Sequence, residues 1–221
     1  MTTAAVPTGD GRTVERSRLL QRGLRLEYAT LGWNVAGVGV LAATAFAASS
    51  VALAAFGIDS LIEILASTVV VWQLRGLDTA ARNRLAARII AIAFSLLALY
   101  IAAQSALTLI GNHHPRQSVA GAAWLAATAA VMFALARGKA DTGRRLGNPV
   151  LRTEARITVI DGALAVAVLT GVVLNAAAGW WWADPVSALV LVVYGLREAR
   201  HTWQEASELD GAGASSSEAR R

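Results

Sequence analysis

Six long apolar blocks, at 28–49, 51–73, 89–110, 119–136, 157–178 and 185–196, divide this chain, and its charged residues collect between them. A hydrocarbon layer about 30 Å thick is crossed by about 20 apolar residues in a helix. Inside that layer each backbone group must find its partner within the protein, which separate apolar segments of this length achieve as helices. The sixth block is short, and the tryptophan run before it completes it. With 55% hydrophobic and 16% charged residues, against about 25% charged in soluble domains, the chain has more apolar surface than one water-soluble core can hide. The expected fold class is an all-α membrane protein, a bundle of six transmembrane helices.

The basic residues set the expected orientation. Five Arg precede the first block, Arg75, Arg82, Arg84 and Arg88 separate the second from the third, and six Lys or Arg lie from Arg137 to Arg156. The other loops carry only Arg116. By the positive-inside rule both termini are then cytoplasmic, and Trp180, Trp181 and Trp182 fall in the outer aromatic belt. A net charge of +5 and a pI near 10.6 could suit nucleic acid, but this placement marks orientation instead, so the expected partner is the lipid bilayer and no nucleic acid. The absence of cysteine excludes disulfides and thiolate ligands. Nineteen Arg against one Lys, with abundant Ala, read as the coding habit of a GC-rich bacterial genome. The expected location is the bacterial inner membrane, multi-pass.

Three segments follow. Residues 1–26 are polar and Arg-rich without an apolar h-region, as in a cytoplasmic leader rather than a cleavable signal. Residues 27–203 form the membrane domain, and 204–221, ending DGAGASSSEARR, read as a disordered cytoplasmic tail. Three spans per half also suggest the inverted-repeat plan of many transporters.

The chemistry lies in carboxylates at membrane depth, each of which costs at least ~2.5 kcal/mol to insert. Asp59 and Glu63, in VALAAFGIDSLIEILASTVVVW, stand four residues apart, which puts them on one helix face with Cβ atoms about 5–6 Å apart. Two anions that close in a low dielectric either share a proton or hold a cation. Carboxylates are oxygen donors for divalent metals, so metal and proton can compete for the pair. In the fifth block Asp161 reaches a similar depth, whereas Glu154, about 10.5 Å nearer the cytoplasmic end, is expected at the mouth or in an ion pair with Arg152 and Arg156. Asn34 could supply a further oxygen ligand or only brace helices. Thr158 could do no more than bond the carbonyl four residues back. His113 and His114 read as a solvated loop pair, and Asp184 before Pro185 as a helix N-cap. With no HExxH helix, no Ser/His pair within the spans and no Cys nucleophile, no enzyme activity and no resident cofactor are expected.

The segment SVALAAFGIDSLIEILAS, the acidic fifth block and GWWWADP together resemble the cation diffusion facilitator family over most of residues 27–203. The resemblance implies a six-helix transporter, usually dimeric, that exports zinc, manganese, iron or related divalent ions, commonly against protons. In that family the second helix carries two ligands four apart, matched here by Asp59 and Glu63. The fifth carries two more, of which Asp161 matches the last. The first falls on Ile157, which cannot bind metal, and an acidic residue three positions before it matches Glu154. The implied site is therefore Asp59, Glu63 and Asp161, with Glu154 and Asn34 as candidate additions. Three carboxylates without histidine favour harder ions. The cytoplasmic domain usual after the sixth helix is missing from this sequence, so a homodimer would be held by membrane helices. The alternative implied is a membrane metal sensor or scaffold that binds without transporting.

Overall fold

In a computed structural model, residues 9–75, 80–111 and 114–218 are described. They form α1 (Gly9–Ala48), α2 (Val51–Leu74), α3 (Ala80–Ile110), α4 (Val119–Leu146), α5 (Pro149–Ala178) and α6 (Ala183–Glu218), with no strand among the described residues. Five of the six are long and apolar enough to cross a membrane. The exception is α6, whose apolar block ends where Arg197 and Glu198 begin.

The helices outrun the apolar blocks. Residues 9–26, read as a leader, belong to α1, α4 continues past Ala136 to Leu146, α5 starts at Pro149, and 204–218, read as tail, continue α6. Apolarity records the thickness of the bilayer, but Arg, Leu and Ala sustain a helix beyond it. Caps set the real ends. Gly147 and Gly179 adopt the left-handed conformation after α4 and α5, with φ of 63° and 68°. Asn148 caps α5 through a bond from the Leu151 N–H at 3.2 Å, with Pro149 at the first helical position. Ser49 does at the end of α1 what glycine does elsewhere, at φ 52°.

α1, α2, α5 and α4 pack in a ring, each on the next, and the α3/α6 pair leans against it through α2 and α5. Leu41, Leu53, Leu125 and Val168 fill its apolar part. Leu96, Leu99, Leu107 and Ile110 stay exposed on α3, as suits a lipid-facing surface. Asp184 corrects its sequence reading: it lies within the first turn of α6, and its carboxylate accepts bonds from the Ser50 hydroxyl and, at 3.4 Å, the Ala52 N–H. It caps α2 rather than its own helix. The starts of α2 and α6 are thereby tied side by side.

Candidate functional site

One face of each ring helix turns inward at a spacing of three or four residues. On α1 this face runs Glu27, Thr30, Asn34, Gly37, Leu41, and on α5 Leu151, Glu154, Thr158, Asp161, Ala165. Polar residues therefore share the interior at one end of the bundle and apolar residues fill the other.

Asp59 and Asp161 are each only 3% exposed, and Asn34 likewise. Asn34 Nδ2 donates to Glu63 Oε2 at 2.8 Å, joining α1 to α2. The Glu63 and Asp161 carboxyls stand close enough to share a hydrogen bond, joining α2 to α5, and Asp59 lies within electrostatic reach of both. Asp161 Oδ1 is buried without a hydrogen-bond partner. None of the three carboxylates forms an ion pair among the described residues. In this conformation the described residues also contain no group of three or more acidic or histidine side chains gathered tightly enough to hold a metal ion. The arrangement is thus a close pair, Glu63 with Asp161, and a neighbour, Asp59, one turn along α2. Ile157, half-buried one turn before Asp161, adds no polar atom.

Glu154 is not at an open mouth, and its partner is neither Arg152 nor Arg156, both of which are exposed. Lys139, counted in the sequence as a loop cation, lies in the extended part of α4 at 0% exposure. Its Nζ donates to Glu27 Oε2 at 2.9 Å, Glu154 Oε2 at 3.1 Å and Thr158 Oγ1 at 3.2 Å. Thr158 also bonds the Glu154 carbonyl, as expected. This ammonium is thus held by α1, α4 and α5, three residues past the apolar block of α4.

Sequence reasoning missed Lys139 and Glu27 because both were placed outside their apolar blocks. The signal was present: the buried positions Leu125, Thr128, Met132, Ala136, Lys139 and Thr142 keep one helical spacing across the presumed end of the helix. It also missed Glu198 and Tyr194 of α6, which lie within electrostatic reach of Asp59. Glu198 follows the last apolar residues and was read as flanking charge. Elsewhere, His114 stacks on Trp181 with centroids 4.7 Å apart, and His113 lies outside the described residues. Trp33 of α1 stacks on Trp124 of α4 and donates to Thr128, which fixes the helix bearing Asn34.

Buried carboxylates that approach one another without an ion pair on either bind protons or a cation. Here they occupy the interior of a helical bundle. No curated protein matches the chain. Residues 28–209 match the family described as the cation efflux transmembrane domain, and since that match takes in most of the 221 residues, the chain belongs to this family of membrane-embedded cation transporters.

Proposed function

We propose that this protein is a secondary transporter that exports divalent metal cations such as zinc, manganese or iron across a bacterial inner membrane in exchange for protons. The observation that carries the reading is the approach of Glu63 to Asp161 across the α2–α5 contact, with no ion pair on either. One proton held between them is the resting alternative to a bound cation, so release of protons and capture of metal are two sides of one exchange. Capture requires Asp59 to join the pair, and the 2.8 Å bond from Asn34 keeps the Glu63 carboxylate oriented for it. An all-oxygen donor set suits manganese or iron at least as well as zinc. Both termini are cytoplasmic in this reading, and a homodimer forms through membrane helices.

The test is ion-dependent flux in proteoliposomes loaded with a pH indicator, with zinc, manganese, iron and cobalt offered in turn. Flux of one ion with opposite proton movement is expected, abolished by Asp59→Ala and by Asp161→Ala. Metal binding without flux of any ion points instead to a sensor or scaffold, a reading favoured by Ile157 standing where a ligand would.

A further inference from the structure

Nineteen of the twenty Lys and Arg residues are arginine, and the single lysine is the one buried at 0% exposure. An ammonium is a compact point charge with three donors on a flexible stem, unlike the planar guanidinium fork. Around Lys139 Nζ the three oxygens of Glu27, Glu154 and Thr158 lie at 2.9–3.2 Å. They come from two carboxylates and a hydroxyl, an oxygen set of the kind divalent cations take. Two carboxylates against one ammonium leave the cluster one negative charge in excess when all three are ionised. Glu27 Oε1 is moreover buried with no hydrogen-bond partner, although Glu27 is itself 0% exposed.

The cluster adjoins the candidate site on α5. Thr158 precedes Asp161 by three residues, about 4.5 Å along the axis, and Glu154 by seven, about 10.5 Å. It therefore lies between the Glu63–Asp161 pair and the α4–α5 turn. Glu63 is within electrostatic reach of both Glu154 and Lys139. An ion moving along α5 between that turn and the pair passes this position.

We infer that Glu27, Glu154 and Thr158 form a second divalent-cation site, and that Lys139 is its tethered resident cation, which an entering metal ion displaces. The inference rests on the proposed transport reading for the class of ion, but not for the existence of the site. The Lys139 stem lets the ammonium swing away while the carboxylates keep one cation between them throughout. Removing the ammonium leaves two buried carboxylates uncompensated, a costly state that a free divalent ion relieves.

The experiment uses the full chain in detergent with Mn2+ as the probe, in an Asp161→Asn background so that the Glu63–Asp161 pair is disabled. Adding Lys139→Met is expected to raise bound Mn2+ by one ion per chain, and adding Glu154→Gln to remove that ion again. No gain on Lys139→Met overturns the proposal. Failure of transport with the gain present leaves it standing, so the two readings fail separately. Should Lys139→Met not fold, the wild-type chain supplies the second measurement, since its only lysine can be followed by reductive methylation and peptide mass spectrometry. Labelling of Lys139 is expected to rise at least tenfold at saturating Mn2+. Labelling that stays unchanged in protein shown to bind Mn2+ overturns the proposal.

Discussion

Glu63 is where three helices meet: it is carried on α2, receives the Asn34 Nδ2 from α1 at 2.8 Å and faces Asp161 of α5. A hydrogen bond to a charged group contributes about 1.5–3 kcal/mol, and about 1.4 kcal/mol is tenfold in affinity. Asn34→Leu should therefore weaken metal binding about tenfold or more in a calorimetric titration, with the helical circular dichroism unchanged. Equal affinity would reduce Asn34 to a brace between helices. At this scale the spacing of Asp59 and Glu63 was readable, because a period of four on one helix is a local property. The partners of Glu154 were not, because they depend on how far α4 continues past its apolar block. Lys139 is soluble-looking in sequence and buried in space, and only the continued inward spacing of Ala136, Lys139 and Thr142 betrays it.

Among the helices, the α5–α6 crossing is the closest contact that a glycine secures. A Cβ on Gly171 would stand 2.2 Å from Ser187 Oγ, 2.6 Å from Ser187 Cβ and 2.7 Å from the Ala183 carbonyl oxygen. The last is backbone and cannot rotate away, so α6 must shift. Overpacking of this kind costs about 1–3 kcal/mol, and small residues are what allow membrane helices to approach. Gly171→Ala should lower the thermal unfolding midpoint in detergent, whereas Ser187→Ala should not. A Gly171→Ala protein as stable as the parent would mean that the two helices are held less tightly than this contact implies. The six elements were legible from apolar blocks of bilayer length, but their ends were not. Gly147, Asn148 and Pro149 carry the terminating signals between α4 and α5, and they lie among charged residues that a hydropathy reading treats as loop.

Across the whole molecule, each helix of the first half packs on its counterpart in the second: α1 on α4, α2 on α5 and α3 on α6. That pairing is what two inverted halves would produce. It also bears on the path of α6, the helix whose apolar block is too short to stand as a span by composition alone. Asp184 binds the start of α6 to the start of α2 through Ser50 and Ala52, so both helices leave from the same end of the bundle. At 36 residues, α6 is about 54 Å long, well beyond a hydrocarbon layer about 30 Å thick. Running alongside α2, it must emerge at the end where α2 finishes, which is the end where α1, antiparallel to α2, begins. This geometry predicts that the start of α1 and the end of α6 lie on one side of the membrane. The chain has no cysteine, so single thiols introduced at the exposed positions of α1 and α6, Ser17→Cys and Ser207→Cys, report this without a background. Both should react with an impermeant maleimide from the same side of sealed vesicles. Reaction from opposite sides would mean that α6 folds back along the surface, and that the membrane part of the bundle is closed by five helices and not six.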